Sequence, residues 1–264
     1  MTVIDWAALK TTDFARLAPA ATLAVLPVAA VEQHGPHLPS GTDALILEGL
    51  LARLRQRGLR AGNTALVLPL QAVGLSPEHT AFPGTLTSSA ETLLSLWVDL
   101  GRSVQRAGLQ HLVILNSHGG NSPLLDLAAL RLRHEAGLTV VSITTHRLGT
   151  PEGLIEPSEI RYGVHGGQIE TALMLALAPH LVDQPAMADF TSSEPQISAL
   201  HPQLGAAGSP ARMAWMAEDL NPAGAIGNAA LATAHQGEAI LAHLTERLAS
   251  LLEASLHLPH PRPS

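Results

Sequence analysis

Short, continuously apolar runs alternate along the chain with longer stretches in which apolar residues recur every three or four positions. The short runs predict buried strands, and the longer stretches predict amphipathic helices. The predicted strands cover residues 22–28, 64–70, 111–116 and 138–144. The predicted helices cover residues 43–57, 88–107, 123–136, 167–178 and 228–256, the last with Gly237 as a candidate interruption.

This alternation predicts an α/β fold in which a mostly parallel sheet is sandwiched between helices. No linker or repeat divides the chain, so we expect a single domain over residues 1–264 with a frayed tail at about 257–264. Residues 186–223 are rich in Pro, Ser and Gly and lack periodicity, which predicts a lid or an oligomer contact. In such sheets, ligands bind beyond the carboxyl ends of the strands.

The composition excludes several classes of protein and several kinds of site. Of 264 residues, 46% are hydrophobic and 14% are charged, which excludes a disordered protein. A net charge of −7 and only three Trp, three Phe and one Tyr argue against a nucleic-acid partner. The absence of cysteine excludes a thiol nucleophile and thiolate metal ligands. The apolar run at 20–31 is too short to span a bilayer, so we expect a cytoplasmic protein with no membrane partner.

The loop after the first predicted strand carries the strongest chemical signal. Glu32, His34 and Asp43 lie within twelve residues here. Carboxylate oxygen and imidazole nitrogen suit zinc, manganese or iron, and a set without thiolates favours a catalytic ion over a structural one. The alternative is a polar loop in which Ser40, Thr42 or Asp43 caps the following helix.

A second polar loop follows the predicted strand 111–116. His118 is its candidate functional residue, while Gly119 and Gly120 allow the backbone to approach a ligand closely. Asn121 is a candidate cap for the next helix. The alternative is an ordinary turn with a buried, hydrogen-bonded histidine.

Two more loops complete the candidate site. His165 lies in a glycine-rich loop that leaves it free to reach a substrate, and Glu170 lies in the first turn of the next helix. Because the helix dipole favours an acid there, Glu170 has a purely structural alternative. The loop at 74–85, with Ser76, Glu78 and His79, is predicted to line the pocket or to form a structural Ω-loop.

A serine nucleophile is the main competing chemistry. Ser76 and Ser117 are the candidates, but neither lies in a G-x-S-x-G elbow. A metal-activated water is therefore the favoured nucleophile, since a divalent ion lowers the pKa of bound water and polarises a carbonyl.

Together these residues resemble the creatininase family of metal-dependent amidohydrolases. The resemblance runs from about residue 22 to 240, with a weaker match at 224–237. The matching motifs are Glu32-x-His34-(x8)-Asp43, Gly74-x-Ser76-x-Glu78-His79 with Phe82-Pro83-Gly84-Thr85, Asn116-x-His118-Gly119-Gly120-Asn121, and His165-x-Gly167-x-x-Glu170-Thr171.

The resemblance implies an α/β sandwich with two divalent metal ions (zinc, manganese or iron), in a homo-oligomer that is often a hexamer. It implies that Asp43 bridges the ions, with Glu32 and His118 completing one site and His34 and Glu170 the other. A water between the ions would attack the amide carbon. His165, as a proton carrier or carbonyl contact, and Glu170 are the implied catalytic residues. The substrate would contact a further group, namely Ser76, Glu78, His79, Gly119, Gly120 and Asn121.

The sequence also departs from creatininase itself. Gly119 and Gly120 replace a Tyr-Glu pair whose Glu is a metal ligand there, and no tryptophan lies between about 150 and 175. We therefore predict hydrolysis of a C–N bond in a cyclic amide, a formamide or a small peptide-like substrate other than creatinine. The alternatives are a non-catalytic metal-binding scaffold and a metal-dependent lyase or isomerase on the same fold.

Overall fold

Five parallel strands form the central sheet of the computed structural model, which describes residues 2–206 and 209–259. The strands are β1 Val3–Asp5, β2 Thr22–Val28, β3 Thr64–Val67, β4 His111–Asn116 and β5 Thr139–Thr144. They lie in the order β1-β3-β2-β4-β5 across the sheet. Two small sheets pair β6 Asp189–Phe190 with β9 Gly227–Asn228, and β7 Leu204–Gly205 with β8 Ala211–Arg212.

Helices cover both faces of the sheet, because alternate residues of its strands point to opposite faces and both sets are apolar. The helices are α1 Thr11–Phe14, α2 Thr42–Arg57, α3 Ala90–Arg106, α4 Ser122–Glu135, α5 Pro157–Tyr162, α6 Gln168–Leu177, α7 Glu194–Leu200, α8 Ala217–Leu220 and α9 Ala234–Ser255. Leu23 and Val25 pack into one core with α2, α6 and α9, while Ala24 and Leu26 pack into a second core with α3 and α4. The predicted α/β sandwich is confirmed.

The pairing register aligns the carboxyl ends of three neighbouring strands. Val28 lies opposite Asn116, and Asn116 lies opposite Thr144. The loops that leave β2, β4 and β5 therefore open at the same edge of the sheet, where ligands of parallel sheets bind.

The last predicted helix is the clearest correction to the sequence analysis. It begins at Ala234 instead of residue 228, because Asn228 pairs with Asp189 and the Thr233 side chain caps the helix by accepting from the backbone of Gln236. Gly237 does not interrupt it. A Cβ at this position would overlap the carbonyl of Ala172, so glycine allows α6 and α9 to pack closely.

Other differences concern short elements and the chain end. The predicted strand 64–70 ends at Val67, and β1, α5 and α7 were not predicted. The Thr139 hydroxyl donates to the Pro259 carbonyl, and fraying of the tail from about residue 257 stays a prediction. The rest of the predicted frayed tail, residues 260–264, lies outside the described residues. Within the described ranges, no helix combines the length and apolarity needed to cross a membrane.

Candidate metal centre

Five predicted ligand residues meet at the carboxyl edge of the sheet. Glu32 and His34 lie in the loop after β2, Asp43 in the first turn of α2, His118 after β4, and Glu170 in the first turn of α6. Their donor atoms form two groups that could each hold an ion, and Asp43 belongs to both. Glu32 and His34 also form a third such group with His165. The sequence places these residues at strand ends and helix starts, and the parallel sheet brings those ends together.

The first group contains Glu32, Asp43 and His118, all buried. His118 Nδ1 lies 3.1 Å from Glu32 Oε1 and 3.4 Å from Asp43 Oδ2. The other ring nitrogen, Nε2, donates to the carbonyl of Leu75 over 2.8 Å. This hydrogen bond leaves Nδ1 as an acceptor aimed at the carboxylates, as in histidines that bind metals.

The second group contains His34, Asp43 and Glu170. His34 Nε2 lies 3.7 Å from Asp43 Oδ1 and 3.9 Å from Glu170 Oε2. His34 Nδ1 donates to the backbone carbonyl of Glu32 over 3.0 Å, so Nε2 is again the free acceptor. Both imidazoles are thus oriented by backbone carbonyls toward the same carboxylate.

Three buried acceptors in these groups have no hydrogen-bond partner, which tests whether the site fits a cation. They are Glu32 Oε2, His34 Nε2 and Asp43 Oδ2. Unpaired buried polar atoms are costly and require an explanation. A divalent ion accounts for all three, because oxygen and nitrogen acceptors are the ligands that such ions bind.

The acids and imidazoles shift each other's pKa strongly. Burial lowers the pKa of His34, but the nearby carboxylate of Asp43, with those of Glu170 and Glu32, raises it overall to about 9. At His118, Glu32 and Asp43 likewise overcome burial and raise the pKa well above its ordinary value. Burial raises the pKa of Glu170 to about 7. Positive charge is therefore favoured at this site, and a cation would supply it in place of the protons.

His165 is buried. Its predicted contact with a substrate stays a prediction. Its Nε2 donates to the Gln33 carbonyl over 2.6 Å, and its Nδ1 lies 3.6 Å from Glu32 Oε1. Burial and the positive charge of the neighbouring His34 hold the pKa of His165 well below its ordinary value. His165 is therefore neutral, with Nδ1 available to accept a proton.

Gln33 organises this part of the site and was not singled out from the sequence. Its side-chain nitrogen donates to His79 Nδ1 over 2.8 Å and to the Gly224 carbonyl over 3.0 Å. Burial lowers the pKa of His79 to about 4, so its ring is neutral. With Nδ1 accepting, the His79 proton lies on Nε2, which is 3.5 Å from Glu32 Oε1.

The two serine candidates lack a general base. Ser76 Oγ lies 3.3 Å from His118 Nε2, but that nitrogen is the one that donates to Leu75. Ser117 Oγ donates to the backbone carbonyl of Asp43 over 3.0 Å. Because neither hydroxyl faces a free imidazole acceptor, the geometry gives no support to a serine nucleophile.

The glycine-rich loop after β4 is shaped by close packing. A Cβ at Gly120 would overlap His118 Nε2 and the Leu75 carbonyl, and it would lie 2.5 Å from Glu78 Oε1. The hydrogen bond between His118 and Leu75 therefore requires glycine at this position. Gly119 has open space around it, so it is the more accessible of the two.

Two capping predictions are wrong. Asn121 does not cap α4: its buried side chain donates to the Ala29 carbonyl and accepts from the Leu75 backbone, because it ties neighbouring loops together. Gly41 occupies the N-cap of α2 without a side-chain cap, since Asp43 points into the site and the Thr42 hydroxyl donates to Pro39.

Trp215 was also missed, because it comes from the irregular segment 186–223. Its ring lies 6.5 Å from that of His79, edge to face, and its Nε1 donates to the Ala206 carbonyl. The segment thus places an aromatic side chain beside the candidate centre. That the segment acts as a lid or an oligomer contact stays a prediction. The predicted substrate contacts also stay predictions, namely Ser76, Glu78, His79, Gly119, Gly120 and Asn121.

Comparison with known proteins connects this geometry to a family. The chain matches the sequence model of the Creatininase family, described as creatinine amidohydrolase, over residues 7–252. The mycofactocin precursor peptide peptidase of Mycolicibacterium smegmatis is 30% identical over 234 residues, covering 88% of this chain and 84% of the relative.

Solved structures agree in fold. A creatininase variant of the Zn-Zn type superimposes with a TM-score of 0.75 at 28% identity, covering 96% of this chain and 98% of that one. A manganese form of creatininase gives a TM-score of 0.71 at 26% identity, with the same coverage. The chain therefore belongs to the creatininase family, and these relatives indicate a hydrolytic enzyme that acts on amide bonds.

Proposed function

We propose that this chain is a dinuclear metal-dependent hydrolase that cleaves a C–N amide bond in a small substrate. The observation that carries the proposal is the membership of Asp43 in both donor groups, with its Oδ1 facing His34 and its Oδ2 facing His118. One carboxylate that offers an oxygen to each of two groups is suited to join two ions.

Glu32 and His118 would hold the first ion with Asp43, and His34 and Glu170 the second. Two bound divalent ions would polarise the amide carbonyl and lower the pKa of a water molecule toward neutrality. The chain's own contribution is to fix the imidazole orientations through backbone carbonyls and to keep the carboxylates of Glu32 and Asp43 away from bulk water.

His165 is the proposed proton carrier. Its neutral ring is oriented by the hydrogen bond from Nε2 to the Gln33 carbonyl. The other ring nitrogen, Nδ1, carries no proton and faces Glu32. A buried, neutral imidazole beside a carboxylate can accept a proton from the nucleophile and return it to the leaving nitrogen. Glu170, the most exposed side chain of the second donor group, is the second proposed catalytic group.

The proposed substrate is peptide-like rather than creatinine. The relative from Mycolicibacterium smegmatis is named for cleaving a precursor peptide. Gly119, next to the ligand His118, has open space where a larger side chain would extend, and this room suits a bulkier substrate. A homo-oligomer, a hexamer by resemblance, and a cytoplasmic location belong to the same proposal.

The test is a hydrolysis assay with controlled metal content. Chelator-treated protein is reloaded with zinc or manganese and incubated with creatinine, an N-formyl amino acid and short peptides, and products are followed by mass spectrometry. We expect products that have gained one water from a peptide or formamide, in the loaded form only. The Glu32→Gln variant should lose this activity, while exposed Glu91→Gln should retain it.

Two outcomes would contradict the proposal. Hydrolysis unaffected by the chelator would exclude the metal mechanism. Conversion of a substrate by the loaded protein without gain of water would instead indicate a lyase or isomerase.

A further inference from the structure

A small cavity borders the second donor group at Glu170. It has a volume of about 70 Å³ and is lined by apolar side chains from three helices. Ile46 comes from α2, Ile169 and Leu173 from α6, and Ile240 and Leu244 from α9.

The helical spacing places this cavity directly beside the proposed ligands. Ile46 follows Asp43 by three residues on α2, and Leu173 follows Glu170 by three residues on α6, so each pair shares a helix face. The side chains of His34 and Asp43 are 0% and 3% exposed, whereas that of Glu170 is 26% exposed. A molecule that reaches the second group therefore approaches past Glu170, next to the cavity.

The size and lining of the cavity limit what it can accept. An apolar cavity of about 150 Å³ binds benzene, so one of half that volume fits roughly three or four carbons. The five apolar side chains offer a small aliphatic group a surface without hydrogen-bonding groups. Polar residues also line the cavity, namely Ser117, Thr145, His146, Thr150 and Glu170.

We propose that this cavity is the subsite for a short aliphatic group on the acyl side of the scissile amide. The substrate class is then amides of small branched or straight aliphatic acyl groups, of about the size of a valine side chain. This inference rests on the proposed metal-dependent hydrolase function, since the two ions would anchor the amide beside the cavity.

The experiment measures binding of hydroxamic acids to the zinc-loaded protein by isothermal titration calorimetry. Hydroxamates chelate metal ions, so their acyl substituent probes the neighbouring subsite. We expect isobutyrohydroxamate to bind about 15-fold more tightly than acetohydroxamate, from roughly fourfold for each additional buried carbon. Benzohydroxamate, whose ring exceeds the cavity, should bind more weakly than isobutyrohydroxamate.

A pair of variants tests the cavity itself. Leu244→Ala enlarges it and should reverse the preference in favour of benzohydroxamate. Leu248→Ala is the matched control, because Leu248 is buried one turn further along α9 and does not line the cavity. It should keep the wild-type order of affinities.

The outcomes separate this inference from the function on which it rests. Binding of no hydroxamate to metal-loaded protein would overturn the proposed metal centre. Equal affinity for all three probes would overturn the aliphatic subsite alone. An equal change of preference in Leu248→Ala and Leu244→Ala would also overturn it, because a general loosening of the core would then explain both.

Discussion

The two donor groups share Asp43 but differ in their contact with solvent. In the first, Glu32 and His118 have side chains that are 1% and 4% exposed. In the second, Glu170 is 26% exposed and borders a cavity. Electrostatic attraction strengthens as water is excluded, so the same ligand types should hold an ion more tightly in the first group.

This difference in exposure indicates that the two ions have different roles. The first group is enclosed and oriented by the Leu75 carbonyl, as expected for a site whose ion stays bound. The second has the open side, so we expect its ion to exchange more readily and to meet the substrate. Variants that remove one ligand at a time test whether the two groups differ in how tightly they hold an ion.

Asp43→Ala should have the largest effect, because it removes a ligand from both groups. We expect the metal content to fall from about two ions per subunit to nearly none, and hydrolysis to fall to the assay background. Elemental analysis after gel filtration measures the first quantity. Exposed Asp126→Asn should retain both ions. Full metal content in Asp43→Ala would disprove the bridging role.

His165→Ala should keep both ions while slowing turnover. Loss of a positioned proton carrier lowers rates by about 10² to 10⁴-fold, and His165 is not among the five proposed ligands. The comparison requires kcat and metal content on the same sample. If kcat equalled that of the wild type, His165 would be only a buried loop residue; loss of metal would make it a ligand.

Glu170→Gln should separate the two groups. We expect about one ion to remain, held by Glu32, Asp43 and His118, because the enclosed group is untouched. A metal titration followed by calorimetry should show that the weaker of two binding events has disappeared. Loss of both events, or retention of both, would show that the groups do not differ as their exposure suggests.

Ser117→Ala should have the smallest effect. It removes the hydrogen bond to the Asp43 carbonyl, which should lower the free energy of unfolding by about 1 kcal/mol and leave kcat nearly unchanged. A collapse of kcat in Ser117→Ala with full metal content would revive the serine nucleophile.

Much of the fold could be predicted from local pattern. The strands 22–28 and 111–116 are observed with the predicted bounds, because each is an apolar run buried on both faces. Val3–Asp5 was missed because three residues show no period. Asp189–Phe190 was missed because its pairing partner, Gly227–Asn228, lies far along the chain.

The sequence was sufficient to predict the candidate ligand side chains, but not the groups that orient them. Glu32, Asp43 and His118 stand at strand ends or helix starts, where parallel sheets collect them. The carbonyl of Leu75 and the amide of Gln33 orient the imidazoles, yet such groups carry no sequence signal. Trp215 reaches the site through tertiary packing alone, and the apolar cavity forms only when three helices meet.

The most direct measurement is the number of divalent ions per subunit in the purified wild-type chain, after loading with zinc or manganese and removal of excess metal. Two donor groups joined by Asp43 predict a value close to two. A value near one would locate the only stable ion in the enclosed group. A value of zero with both metals would contradict the metal centre, and with it the mechanism built on these residues.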